Sequence, residues 1–229
     1  MPKFTEADWI AAYREKDALW IHDGNLMRPH AVLTSGKHSG GFFNRKPVIA
    51  DDPLMLRAAM ELTRHFIEAG GDIEKIDRVV GPQTGATRLA ELIANAITMR
   101  RGRTCYWASP AKHEEDGVKS MVFDDPGQKV KAGEMVLLCE DVATTTGSIK
   151  LTADVVIKSG GVLADWVLLL VNRSGQQLVG GYNTMRIMAL IDREMPIWEV
   201  SACPLCDQGS EALRPPKDPV NWAKLNAEY

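Results

Sequence analysis

Several features that mark particular classes of protein are scarce in this sequence. Only four of the 229 residues are cysteine, and they do not form the framework of a disulfide-rich secreted protein, so we expect a reducing, cytoplasmic location. No apolar run is long enough to span a bilayer, and segment 1–20 carries acids and an amphipathic pattern where a signal peptide would be apolar. The formal net charge is -3, which argues against nonspecific polyanion binding. We therefore expect neither a membrane nor a nucleic acid as partner.

Periodicity predicts alternating helices and strands along most of the chain. Continuously apolar strands connected by helices are typical of a buried parallel sheet with right-handed crossovers. The segment 110–133 is polar and charged and is expected to form a long mobile loop or a hairpin. No internal repeat or low-complexity segment is present. The expected helices are 5–19, 52–71, 87–102 and 148–161, and the expected strands are 76–82, 103–109, 134–141, 164–175 and 186–192.

The segment VLLCEDVATTTGSIK, residues 136–150, indicates a binding site. Glu140 and Asp141 end a buried strand and precede a loop of small hydroxyl residues that enters a helix. Ligands of open parallel sheets bind beyond the carboxyl ends of the strands, and the free N–H groups of a helix N-terminus favour a phosphate. The acids would repel a phosphate, so we expect them to face sugar hydroxyls or a magnesium ion on the same ligand. The predicted ligand is a phosphorylated sugar; the alternative is two solvated acids beside a threonine-rich turn.

This segment matches neither the P-loop nor the dinucleotide fingerprint. It resembles the phosphoribosyl-diphosphate (PRPP) motif of type I phosphoribosyltransferases, which has an apolar run, two acids, a valine, a small-residue loop and a helix. Three other segments resemble orotate phosphoribosyltransferases, in an order and spacing that agree over roughly residues 15–195. They are VLTSGKHSGGFFN, VVGPQTGATRLA and VNRSG. The CPLC tail also resembles a tail found in a subset of that family.

The resemblance implies an α/β fold of the type I phosphoribosyltransferase kind, with a mostly parallel central sheet flanked by helices. It implies a small N-terminal hood at 1–50, a PRPP-binding core at 51–194 and an irregular C-terminal tail at 195–229. The implied reaction transfers the phosphoribosyl group of PRPP to orotate in pyrimidine biosynthesis, giving orotidine 5′-monophosphate and pyrophosphate. Magnesium would be bound through PRPP or pyrophosphate, and the chain would form a homodimer.

The resemblance also assigns roles to individual residues. Glu140 and Asp141 are the expected catalytic acids, and Lys112 and His113 of the polar segment are further catalytic candidates. Each assignment has an alternative without a role in binding or catalysis. The polar segment could be a run of solvated charges, Arg173 could be a surface arginine in a turn, and the two phenylalanines could pack in the core. Residues expected to hold PRPP and its phosphates are Val142, Ala143, Thr144, Thr145, Thr146, Gly147, Ser148, Gln83, Thr84, Gly85 and Lys119. Residues expected to contact orotate are Lys37, Phe42, Phe43, Thr144 and Arg173, with His38 as a further candidate for the base or pyrophosphate.

Three departures from the family pattern leave other functions open. Thr146 stands where the phosphate loop usually has a glycine, and Ala86 replaces the second glycine of the pyrophosphate loop. The polar segment lacks the adjacent arginine–lysine pair of many orotate enzymes. The alternatives are a phosphoribosyltransferase for another base, such as a purine, and a PRPP-binding regulator that has lost catalysis.

The tail contains a pair of cysteines, Cys203 and Cys206, with the spacing of zinc ligands. A closed zinc site needs two further ligands. The remaining cysteines, Cys105 and Cys139, lie in predicted buried strands and are expected in the core. We therefore predict no metal ion held by protein ligands, unless two subunits share one.

Overall fold

The computed structural model describes residues 3–33, 35–182, 184–215 and 219–229. The chain divides into two compact units. The first, here called the core unit, comprises Met1–Glu6 and Asp51–Arg193, and the second, here called the terminal unit, comprises Ala7–Ala50 and Glu194–Tyr229. From the sequence, the two parts of the terminal unit were expected to be separate segments, and that division stays a prediction. Across the described ranges, no helix combines the length and apolar character that a bilayer crossing requires.

The helices and strands follow one another closely along the chain. Single turns of 3-10 helix at Pro126–Gln128 and Val200–Ala202 lie between them. In chain order the elements are α1 (Glu6–Glu15), β1 (Leu19–Ile21), β2 (His30–Val32), β3 (His38–Ser39), β4 (Gly41–Phe43), α2 (Arg45–Ile49), α3 (Asp52–Glu68), β5 (Arg78–Val80), α4 (Thr87–Arg101), β6 (Tyr106–Ala108), β7 (Ala111–Glu115), β8 (Val118–Val122), β9 (Met135–Ala143), α5 (Gly147–Lys158), β10 (Val162–Asn172), β11 (Arg186–Asp192), β12 (Ile197–Trp198), α6 (Pro204–Asp207), β13 (Ala212–Leu213) and α7 (Pro219–Asn226).

The core unit is built on a five-stranded sheet in the order β11-β10-β9-β5-β6. Every neighbouring pair is parallel, and the predicted α/β fold with a parallel sheet is confirmed. The apolar runs of β9 and β10 are buried, as expected for strands covered on both faces. Strand β6 pairs with one side of β5 and β9 pairs with the other. The direction of strand addition therefore reverses between β5 and β9, which is where open α/β sheets bind their ligands.

Local signals in the sequence explain where the core helices begin and end. The Asp51 carboxylate accepts the N–H of Leu54 at 2.9 Å and caps α3, whose first turn contains Pro53. Helix α4 ends at Gly102, which takes the left-handed conformation with φ of 72°. The helices expected at 52–71, 87–102 and 148–161 are confirmed as α3, α4 and α5.

The helix expected at 5–19 is wrong at its C-terminal end. Helix α1 stops at Glu15, Asp17 has a positive φ of 51°, and the N–H of Ala18 returns to the carbonyl of Tyr13 at 2.9 Å. Leu19 instead begins β1, which pairs antiparallel with β4. The apolar spacing continues past the point where the backbone leaves the helix.

The polar segment forms the hairpin that was one of its two expected structures. Strands β7 and β8 are antiparallel, and Glu115 pairs with Val118 across a two-residue turn. The turn residues Asp116 and Gly117 have φ values of 50° and 77°. Positive φ at both positions is the type I′ geometry that an Asp-Gly turn favours.

The terminal unit contains a second sheet, in the order β12-β3-β2-β13. The hairpin of β2 and β3 forms its centre, and the tail supplies both outer strands. Where the sequence analysis expects an irregular tail, the structure has two short strands and two helices. Phe42, Leu213 and Leu225 belong to the apolar cluster of this unit.

Candidate active site

The acid pair lies near the carboxyl end of β9, the middle strand of the core sheet. Glu140 is 4% exposed and Asp141 is 1% exposed, so the alternative of two solvated acids is wrong. A Glu140 oxygen accepts the N–H of Asp141 at 3.1 Å, and an Asp141 oxygen accepts the N–H of Val142 at 2.8 Å. Burial raises the pKa of Glu140 well above its usual range, and the neighbouring Asp141 carboxylate raises it further. A buried pair of this kind favours a ligand that brings positive charge or hydroxyl donors.

The loop after the acids delivers the chain into α5 through a strained residue. Thr146 has φ of 58° and ψ of 7° and makes no side-chain cap. Its hydroxyl is buried and has no hydrogen-bond partner in the described part of the chain. A β-branched residue in the left-handed region is uncommon, so this backbone conformation suits the glycine that the family resemblance led us to expect at this position. Helix α5 begins at Gly147. The N–H groups of its first turn have no acceptor within the helix, and together with the helix dipole they favour binding of an anion.

The loop after β5 lies on the other side of the point where strand addition reverses. Gly81 has no room for a side chain, because a Cβ there would lie 2.8 Å from the Ala86 carbonyl oxygen and from Cys139 Sγ. Gln83 and Thr84 are exposed, and the peptide bond between them is cis. Ala86 has φ of −101°, which a non-glycine residue adopts freely. The Ala86 departure is therefore accommodated by the backbone.

Ser109, at the end of β6, was missed by the sequence analysis. Its carbonyl accepts the Gln83 side-chain amide at 3.0 Å, and its hydroxyl lies 2.6 Å from that of Thr87. These bonds fix the loop of Gln83 and Thr84 to the neighbouring strand end. A polar residue directly after an apolar strand was the available signal.

Arg173 follows the last residue of β10 and lies beside the acid-bearing strand. Its N–H donates to the carbonyl of Ala143 at 3.0 Å, so the sheet holds it next to the loop that leads into α5. Its side chain is 6% exposed, and the alternative of a surface arginine in a turn is wrong. Burial lowers the pKa of Arg173 to about 10, which leaves the guanidinium charged at neutral pH.

The hairpin carries the remaining candidates of the core unit. Lys112, His113 and Lys119 are all exposed. Lys119 pairs across the hairpin with Glu114, and the His113 ring lies 3.7 Å from a Glu115 oxygen. Acidic side chains therefore lie beside the basic ones, as expected if the hairpin is only a run of solvated charges. Contact of Lys112, His113 and Lys119 with a ligand stays a prediction.

The base-binding candidates of the terminal unit are packed within that unit. The Phe43 ring stacks on Tyr13 with centroids 5.5 Å apart, and Phe42 meets Trp222 edge to face at 5.8 Å. Lys37 forms an ion pair of 2.5 Å with Glu199. These contacts agree with the packing alternative for the two phenylalanines, and their role toward a base stays a prediction.

Comparison with known proteins connects this architecture to one family. No family model matches the chain. The orotate phosphoribosyltransferase of Caldicellulosiruptor bescii is 30% identical over 190 residues, which cover 83% of this chain and 90% of that protein. The Thermus thermophilus enzyme of the same name is 32% identical over 191 residues, covering 83% and 94%.

Solved structures agree on the fold. The orotate phosphoribosyltransferase of Aeropyrum pernix aligns with a TM-score of 0.54 at 21% identity, covering 80% of this chain and 92% of that one. The enzyme of Francisella tularensis gives a TM-score of 0.55 at 17% identity, covering 82% and 84%. The core unit thus has the type I phosphoribosyltransferase fold. With curated relatives of at least 30% identity over most of its length, the chain belongs to the orotate phosphoribosyltransferase family.

Proposed function

We propose that the protein transfers the phosphoribosyl group of PRPP to orotate, giving orotidine 5′-monophosphate and pyrophosphate in pyrimidine biosynthesis. The observation that carries this proposal is the buried pair of Glu140 and Asp141. The pair lies on the strand where strand addition reverses, in a chain of this family. Acids buried at that place are costly to keep charged, as is typical of a binding site whose ligand stabilises the charged form.

The acids act on the ribose. In this reaction the bond to pyrophosphate breaks ahead of full attack by the base nitrogen, so positive charge builds on the sugar. Glu140 and Asp141 accept hydrogen bonds from the ribose hydroxyls and stabilise that charge. Their burial strengthens the interaction, because charges attract more strongly where water is excluded. Positive charge nearby also favours the ionised form of Glu140.

The phosphates bind to backbone N–H groups. The first turn of α5 and the hydroxyls of Thr144 and Thr145 hold the 5′-phosphate. Thr144 and Thr145 are both exposed and lie directly before the N-terminus of α5. Val142, Ala143 and Thr146 shape this loop, and Gly147 and Ser148 begin the helix. The diphosphate lies along Gln83–Gly85, with Lys112 and Lys119 as exposed cations. His113 accepts the N1 proton that orotate loses as the new bond from N1 to the ribose forms and the bond to pyrophosphate breaks.

The acid pair also fits a magnesium ion carried on the diphosphate. Mg²⁺ prefers carboxylate and phosphate oxygens and keeps several of its waters. Glu140 and Asp141 offer the carboxylate oxygens at this sheet edge. When bound, the ion neutralises charge on the departing pyrophosphate.

Orotate is recognised by its carboxylate. The planar guanidinium of Arg173 suits a carboxylate bidentately, and its lowered pKa leaves it charged. Thr144 contacts the base from the same sheet edge, and a role of Lys37, Phe42 and Phe43 toward the base stays an expectation from the family resemblance.

The family resemblance also leads us to expect a homodimer of this chain. We place the protein in the cytoplasm because its four cysteines are free thiols.

The test follows the loss of orotate absorbance after PRPP and magnesium are added to the purified protein. Uracil and 6-oxopurines are assayed in parallel. We expect turnover of orotate alone, and a loss of at least about 100-fold in Asp141→Asn, the size seen when one transition-state contact is removed. Asp154→Asn is the matched control, because it makes the same change at an exposed position of α5 and should keep full activity.

The other outcomes identify the alternatives. Turnover of a purine without orotate would reassign the base. PRPP binding by calorimetry without turnover of any base would make the protein a regulator.

A further inference from the structure

Four side chains of the terminal unit converge on one point. They are His30 and His38 of the central hairpin and Cys203 and Cys206 of the tail. One ligand atom from each lies within 4.8 Å of all the others. His30 Nε2 lies 3.0 Å from His38 Nδ1 and 3.5 Å from each of the two sulfurs. Cys206 Sγ lies 3.2 Å from His38 Nδ1.

Four of the six separations among these ligand atoms match edges of a zinc tetrahedron. Zn–N bonds of about 2.0 Å and Zn–S bonds of about 2.3 Å place two nitrogens about 3.3 Å apart and a nitrogen and a sulfur about 3.5 Å apart. The observed separations differ from these values by 0.3 Å or less. Two thiolates and two imidazoles in a tetrahedron form a typical zinc site. We propose that His30, His38, Cys203 and Cys206 bind a structural zinc ion.

The hydrogen bonds around His30 favour metal binding through its Nε2 atom. Its other ring nitrogen, Nδ1, lies 2.9 Å from the Ser210 hydroxyl. That hydroxyl donates in turn to the carbonyl of Arg28 at 2.6 Å, so its oxygen is left to accept the Nδ1 proton. The bare nitrogen is then Nε2, which faces the two sulfurs. Partners that orient a histidine in this way are typical of metal ligands.

Burial indicates a structural ion. His30 and Cys203 have no exposed surface, and His38 is 6% exposed. Four protein ligands complete a tetrahedral shell and leave no position for water or substrate, as in structural zinc sites. The site is independent of the transfer reaction proposed above.

The position of the ligands in the sheet shows what the ion would hold together. His30 begins β2 and His38 begins β3, whereas the cysteines lie between β12 and β13. Those tail strands are two residues long, and pairing of so few residues stabilises little. Cys203 precedes α6, and its carbonyl accepts the N–H of Asp207 at 3.2 Å. Gly209, with φ of 85°, then turns the chain toward β13. The ion fastens the tail to the hairpin.

The expectation that the protein holds no metal ion rested on cysteines as the only further ligands for Cys203 and Cys206. His30 lies 173 positions from Cys203, and no local spacing connects the two. The two histidines of the stretch HAVLTSGKH, residues 30–38, were the available signal.

The first test measures metal in the full-length protein purified under reducing conditions from zinc-supplemented cells. We expect about one zinc ion per chain. X-ray absorption should show two sulfur and two nitrogen neighbours. Cobalt added to the metal-stripped protein should give the intense visible bands of a tetrahedral thiolate site. This cobalt measurement requires no variant.

The second test compares Cys206→Ser with Cys105→Ser. Cys105 is buried in the core unit and is the matched control, so its variant should keep zinc and the cobalt spectrum. Cys206→Ser should lose most of its zinc and unfold at a lower temperature. His38→Cys keeps a ligand in place and should retain zinc with a shifted cobalt spectrum, which separates ligand loss from misfolding.

Three results would overturn the proposal. They are protein that contains no zinc and gives no tetrahedral cobalt spectrum, a Cys206→Ser variant that binds zinc as the unmodified chain does, and a disulfide between Cys203 and Cys206 in protein kept under reductant.

Discussion

Replacing Thr146 with glycine removes a side chain from a backbone position that disfavours one. Thr146 has φ of 58°, and an L-residue in the left-handed region costs roughly 1–2 kcal/mol relative to glycine. Glycine loses more conformational freedom on folding, which offsets about 0.4–1 kcal/mol of that gain. Thr146→Gly should therefore be more stable than Thr146→Ala by about 1 kcal/mol.

Thr146→Ala separates the hydroxyl from the backbone strain. It removes a buried hydroxyl that has no partner among the described residues, a group that costs about 1–3 kcal/mol when buried unsatisfied. It also removes a buried methyl group worth about 0.8 kcal/mol. The expected order of stability is therefore glycine first, alanine second and the natural threonine last.

Urea unfolding measures these differences in stability as shifts of the urea concentration at the unfolding midpoint. The comparison requires that the dependence of the unfolding free energy on urea concentration is the same in all three proteins. Calorimetry with PRPP measures the cost to binding in parallel, since Thr146 lies in the proposed phosphate loop. A glycine variant no more stable than the alanine variant would refute the argument from backbone strain. An alanine variant less stable than the natural protein would refute the argument from the hydroxyl.

Three other predictions concern charged groups. Arg173→Met should raise the KM for orotate roughly 10–100-fold, the loss of a charge-assisted pair, with little change in PRPP affinity; equal weakening of both ligands would contradict this role. The folded-state pKa of Glu140 is raised above 4.5, so the free energy of unfolding should fall as the pH rises from 4.5 toward that pKa. Urea unfolding at a series of pH values should show a weaker dependence of the unfolding free energy on pH for Glu140→Gln than for the natural protein. The same pH dependence in both proteins would contradict the raised pKa of Glu140. Arg78 is buried and bonds Glu134 at 2.8 and 3.0 Å, so Arg78→Ala should cost about 3–5 kcal/mol in urea unfolding, whereas the exposed Arg103→Ala should cost less than about 1 kcal/mol; similar costs would argue against a buried pair.

Local sequence signals predicted the core unit well. Asp51 and Pro53 mark the start of α3, and the apolar runs of β9 and β10 mark buried parallel strands. The acid pair was predicted for the same reason, because strand, acids, loop and helix all lie within one short segment. Burial of Glu140 and Arg173 needed the structure, since it depends on the neighbouring strands.

Features that depend on distant parts of the chain were not predicted. Strands β12 and β13 are two residues long and exist through pairing with β3 and β2, so periodicity could not reveal them. The zinc ligands of the terminal unit come from both ends of the chain. The end of α1 was misplaced because Leu19 continues the apolar spacing after Asp17 leaves the helix.

A crystal structure of the protein with orotidine 5′-monophosphate would show directly whether the acid pair and α5 form the nucleotide site. We expect the 5′-phosphate on the N–H groups of the first turn of α5, and the ribose hydroxyls within hydrogen-bond distance of Glu140 and Asp141. We expect the orotate carboxylate beside Arg173. A nucleotide bound away from the acid pair, or no binding at millimolar nucleotide concentration, would contradict the proposed site.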